Sequence, residues 1–153
     1  DPCDVDACRE SALRLLDAAD RPSGALRDRL IDKGYDDETV AAVVDRLIEV
    51  GLVDDESYAQ SAVRYCVGRL MGYRGAVMEL ARKGVDRPLA ERVCDEARMS
   101  GVFEDAAWEL GRRSAAKTQG MDPKVRKRRF WSSGGRKGHD AETLRAIAHE
   151  LFD

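Results

Sequence analysis

The residues able to do chemistry in this chain are few, apart from its arginines and lysines. Cys3, Cys8, Cys66 and Cys94 contain no CxxC pair, and His139 and His149 lie ten residues apart, which does not suit two ligands on one face of a helix. No metal site is expected. Cys8, Cys66 and Cys94 fall among apolar positions of a helical pattern and read as buried free thiols of a reducing, cytoplasmic compartment. There is no GxGxxG fingerprint, no GxxxxGK(S/T) phosphate loop and no GxSxG elbow. Neither histidine has an evident nucleophile beside it, and Asp54 and Asp55 read as helix caps rather than a catalytic pair. The expectation is therefore a protein that is not an enzyme and holds no cofactor.

What remains is charge. From Arg112 to Lys137 ten basic residues face the single acid Asp122, a formal +9, so the net −3 chain carries −12 elsewhere. A second, weaker basic stretch runs through Arg64, Arg69, Arg74, Arg82, Lys83 and Arg87 against Glu79 and Asp86. Such segregation favours an anionic partner for one surface over a merely solvated face. Phe130 and Trp131 sit beside the arginines, about 100° apart on a helix, so one is expected in the core. The other is free to stack on a base or to pack on an adjoining protein.

The elements that position these residues show when the chain is written under itself. GYDDETVAAVVDRL from Gly34, GVDRPLAERVCDEA from Gly84 and GHDAETLRAIAHEL from Gly138 align without gaps. Each has Asp two residues after Gly (Asp36, Asp86, Asp140) and apolar residues at common offsets: Val43, Val93 and Ile147, then Val44, Cys94 and Ala148, then Leu47, Ala97 and Leu151. The glycine is expected to end one helix in a left-handed turn and the aspartate to cap the next. Two copies are preceded by Leu-x-x-Lys-Gly, at Leu30–Gly34 and Leu80–Gly84; the third has Gly134 in place of the leucine, and Ser132 to Gly135 should weaken that helix's end. Earlier helices are expected over Val5–Ala19, Asp55–Leu70 and Glu104–Lys117, the second burying Tyr58, Ala62, Tyr65 and Cys66.

The fold expected is all-α, with three tandem three-helix, helix-turn-helix-like repeats over 1–53, 54–103 and 104–153. Modules this small must stack to bury their apolar surface. The pairs Leu52-Val53 and Val102-Phe103 are expected to act as mortar between them, each leading into capping acids. An elongated curved array is predicted, with a radius of gyration of about 22 Å rather than the roughly 15 Å of a compact globule. At 153 residues, 43% hydrophobic and 36% charged, the chain can bury a core; its longest apolar run, Val40–Val44, is far short of a membrane span, and no signal peptide is expected.

A sequence-reading helix-turn-helix repressor is the natural rival, since the motif's geometry is present. Its reading helix would be acidic, however: Asp36, Asp37, Glu38, Asp45 and Glu49 against Arg46, a −4, in the first module, and −3 in the third. A helical scaffold without nucleic acid is a further alternative. The basic residues sit instead on the middle helices and the joints before them, where a groove could track a phosphate backbone without reading bases.

Taken together, Lys33-Gly34, the joint Gly51-Leu52-Val53-Asp54-Asp55 leading to Tyr58-Ala59, Leu80-x-x-Lys83-Gly84-Val85, and Arg126-Lys127-Arg128-Arg129 followed by Lys137-Gly138 resemble the RecX family of recombination regulators, from about Ala12 to Leu151. The resemblance implies a partner, the RecA recombinase and above all its filament on single-stranded DNA. It also implies inhibition of filament growth, ATPase, strand exchange and the coprotease role in the SOS response. On that reading Arg74, Arg82, Lys83, Lys124, Lys127, Arg128, Arg129, Arg136 and Lys137 lie against the filament, single-stranded DNA binds more weakly and without sequence preference, and a monomer is expected.

Overall fold

A computed structural model describes residues 1–153 and contains nine helices and no strand. In chain order they are α1 (Val5–Ala18), α2 (Ser23–Asp32), α3 (Asp37–Glu49), α4 (Asp55–Gly68), α5 (Tyr73–Arg82), α6 (Arg87–Met99), α7 (Val102–Lys117), α8 (Pro123–Arg136) and α9 (Ala141–Phe152). Within each successive trio every helix packs on the other two. Three separate apolar clusters result. The first gathers Cys8, Ala12, Leu26, Leu30, Val40, Val44 and their neighbours. The second is built around Cys66, Ala76, Leu80, Ala90 and Cys94. Ala107, Phe130, Leu144 and Ile147 centre the third. No helix is long and apolar enough to cross a membrane.

The repeat's punctuation forms as expected at the glycines. Gly34, Gly84 and Gly138 have φ of +103°, +102° and +86°, a region that only glycine enters freely. Asp36 and Asp140 then accept from the amides of Thr39 and Thr143. Asp86 departs from the pattern: it stands at the cap position of α6 without a side-chain bond, two residues before Pro88, which removes one of the amides a cap would satisfy. Asp54 caps α4, but Asp55 does not. Its carboxylate reaches back to the preceding module and accepts from the Ser23 amide (2.7 Å) and hydroxyl (2.5 Å). The start of α2, whose own N-cap Pro22 offers no acceptor side chain, is thus capped from α4.

Other expectations need correction. Helix α7 begins at Val102, with Gly101 at its cap, so Glu104 lies inside the helix. Val53 and Phe103 are not mortar: each folds back into the core of the module it follows, and Leu52 is exposed. Tyr65 is also exposed, because the buried face of α4 runs through Ala59, Ala62, Val63 and Cys66; Arg69 and Lys83 lie over its ring. Helix α8 continues through Ser132–Gly135 to Arg136.

At the joints between modules glycine also lets backbone approach backbone closely. A Cβ on Gly24 would lie 2.5 Å from the Gly84 carbonyl oxygen, and one on Gly75 would lie 2.2 Å from that of Lys137. In both cases the start of a middle helix rests on the glycine turn of the next module. At the second joint the Gly72 amide donates to the Lys137 carbonyl (2.8 Å), Lys137 Nζ donates to the Arg69 carbonyl (2.8 Å) and His139 Nε2 bonds the Leu70 carbonyl (2.8 Å). Leu70 holds φ +63° there while packing against the third core. Small contacts of this kind leave much surface open. The chain exposes 9168 Å², against roughly 7,700 Å² for a compact monomer of its mass. The array is elongated.

Candidate nucleic-acid interface

The second joint also creates a cleft. It has a volume of about 480 Å³ between the end of α4 and helices α7 and α8, and Arg69, Arg113, Lys117, Arg129 and Lys137 line it together with Ser114, Thr118 and Ser133. No carboxylate lines it. Helical spacing places these groups. Arg113 and Lys117 are four apart on α7, and Arg129, Ser133 and Lys137 follow at the same interval on α8 and its cap. Pro123 and the Asp122 carboxylate, which accepts from the Lys124 amide, start α8. Phe130, fully buried against Phe152 with ring centroids 5.8 Å apart, fixes its rotation.

Charge in the cleft is poorly compensated from within. Arg113 and Arg112 share Glu109, at 3.4 and 3.3 Å, whereas Arg69, Lys117, Arg129 and Lys137 have no ion-pair partner. Crowded like charges in a concave site raise the local positive potential and draw in an anion. The nearby Arg126 serves the fold instead. It donates to Thr118 Oγ1 (3.1 Å) and the Ala115 carbonyl (3.0 Å), and its guanidinium lies over Phe152.

The structure gathers only part of the expected set. Arg129 and Lys137 share the cleft. Lys127 and Arg128 face a different groove, of about 650 Å³, with Trp131, Arg145 and His149, and Lys127 is paired with Asp153. That pairing, with a second bond from His149, holds the Asp153 carboxyl below its ordinary value. Arg74 lies beside Tyr73, Arg98 and the Gly138–Asp140 turn. Arg82 is paired with Glu79, and Lys83 sits 5.5 Å over the Tyr65 ring near Asp20 and Asp54 of a cavity between the first two modules. Lys124 and Arg136 are exposed at the two ends of α8. Arg69, Arg113 and Lys117 were not among the expected contacts. The i, i+4 spacing on α7 signals the last two, but Arg69 comes from another module and only the joint brings it in.

Residues 8–47 match the family of RecX first three-helix domains. Over 147 residues the chain is 38% identical to the regulatory protein RecX of Thermobifida fusca, covering 94% of this chain and 78% of that one. The chain belongs to the RecX family. A RecX from a Mycobacterium species is 49% identical over 77 residues, covering 48% of this chain and 41% of its own. The crystal structure of RecX from Lactobacillus salivarius superposes with a TM-score of 0.84 at 21% identity, over 97% of this chain and 96% of that one, which shows the same helical-repeat fold. The relatives are regulatory proteins by name.

Proposed function

We propose that this RecX-family protein regulates the RecA recombinase by lying along its filament on single-stranded DNA, with the cationic cleft of the second joint holding the DNA backbone. The observation that carries the reading is the cleft: four unpaired cations meet there in a chain whose overall charge is −3. Phosphates supply the complementary charge without any base being read. An elongated array with repeated joints suits a helical groove, and the protein acts by occupying it. Filament growth, DNA-dependent ATPase, strand exchange and coprotease activity are then all suppressed together. Single-stranded DNA alone is a weaker, non-specific ligand, and the active species is a cytoplasmic monomer. The acidic first module faces RecA protein or solvent rather than DNA. The repressor alternative would place α9 and its flanking Asp140 and Asp153, together a formal −3, among phosphates.

Titrating the protein into RecA's DNA-dependent ATPase tests the proposal. Inhibition at less than one molecule per RecA protomer is expected. Full ATPase activity at a several-fold excess would contradict it.

A further inference from the structure

Trp131 is 42% exposed, while its neighbour Phe130 is fully buried and anchors α8. Exposing an indole to water forgoes a large apolar stabilisation, and no aromatic ring or cation of the chain stacks on this one. The cation–π contacts of the molecule fall on Tyr65, Tyr73 and Phe152, and its ring–ring contacts join Tyr73 to Phe103 and Phe130 to Phe152. The indole forms a wall of the groove between α8 and α9, with Arg128 and Lys127 one turn before it and Arg145 across from it on α9. The one acid there, Asp153, is matched by Lys127 and His149, so Arg128 and Arg145 stand without an ion-pair partner.

We propose that Trp131 is a stacking platform for a base of single-stranded nucleic acid, with Arg128 and Arg145 taking the phosphates on either side. An aromatic face with flanking arginines is how proteins hold single strands without regard to sequence, because every base has a π-face and every linkage a negative charge. A single strand can cross α8 between the cleft lined by Arg129 and the groove lined by Trp131, since the two lie on opposite edges of that helix. The positive rim favours this occupant over a neutral apolar peptide. The inference rests on the DNA-contacting part of the function proposed above. It adds a base contact to what is otherwise a phosphate-only surface.

The experiment uses the full chain without RecA. The protein has two tryptophans, Trp108 and Trp131, so W108F leaves Trp131 as the fluorophore. Oligothymidylate of about twenty nucleotides should quench W108F emission on binding, and an abasic oligonucleotide of the same length should bind with little quenching. W131A should bind oligothymidylate roughly tenfold more weakly, W131F should retain most of the affinity, and both should leave binding of the abasic strand unchanged. Equal quenching by the two oligonucleotides, or unchanged affinity of W131A for oligothymidylate, would overturn the base contact while leaving the cleft reading intact. Absence of binding by the unmodified protein to either oligonucleotide would overturn both. Quenching by RecA protein alone, with none by oligothymidylate, would assign the ring to a protein partner and overturn the proposal.

Discussion

Leu144 fills the space that Gly134 leaves empty. A Cβ on Gly134 would lie 2.4 Å from Leu144 Cδ2, and both residues are buried. The matching pairs in the other modules are Leu30 with Val40 and Leu80 with Ala90, so one cavity is filled from the opposite helix in the third module. Leu144→Ala should therefore cost about 2–5 kcal/mol, and Gly134→Leu alone about 1–3 kcal/mol or more from overpacking. Combining them recreates the Leu80/Ala90 arrangement. The double variant should be more stable than the two single effects predict, by about 2 kcal/mol in a denaturant cycle. Simple additivity would contradict the exchange.

At the second joint, the Gly75 amide nitrogen lies 2.1 Å from where a Gly138 Cβ would stand, so neither residue tolerates a side chain. Gly75→Ala should push the third module off the second, lowering the melting temperature and broadening the transition. Gly135→Ala is the control: a Cβ there meets nothing within 4 Å. It should stabilise α8 by about 0.5–1 kcal/mol through helix propensity. Scanning calorimetry of both variants separates the contact from the propensity.

His139 bridges the same joint from a buried position. Desolvation holds its pKa below the ordinary value, although the bond to Leu70 and the nearby Asp140 oppose the shift. The unfolded chain takes up a proton below about pH 6.5 and the folded chain resists it, so the unfolded state then holds more protons and stability falls as pH falls. The full contribution is present above about pH 6.5. The urea midpoint should drop between about pH 7.5 and about pH 5, and His139→Gln should flatten the drop. Asp36, Asp140 and Asp153, also held below their ordinary values, add their losses at lower pH, below the ordinary carboxylate pKa.

Much of the fold is legible in the sequence because the repeated glycine, aspartate and apolar offsets are local signals read within one helix or turn. Phe130 as core and Trp131 as surface is a choice that periodicity leaves open; packing against Phe152 decides it. Asp55 as a cap is right in kind and wrong in place, because its helix belongs to the previous module. The Gly134 exchange is invisible until Leu144 is seen opposite. Within the candidate site, charge density along the chain finds the basic helices. It cannot divide Arg129 from Lys127 and Arg128, which lie on different edges of α8, nor bring in Arg69 from a distant module.

If the cleft neutralises phosphates of a single strand, log affinity should fall against log salt. With about four contacts the slope is roughly −3. Lys117→Glu with Arg129→Glu should lower the affinity and reduce the steepness by about one to two. Both side chains line an open cleft and neither holds a partner in the fold, so helicity by circular dichroism should be unchanged. A salt-independent affinity would point to contact with protein alone.

The most direct test of the central claim is the concentration of this protein that halves RecA's DNA-dependent ATPase, measured with the unmodified chain and with the folded Lys117→Glu/Arg129→Glu variant. The cleft predicts at least a tenfold rise for the variant, equivalent to the loss of about 1.4 kcal/mol of binding. Equal inhibition by the two proteins would contradict it.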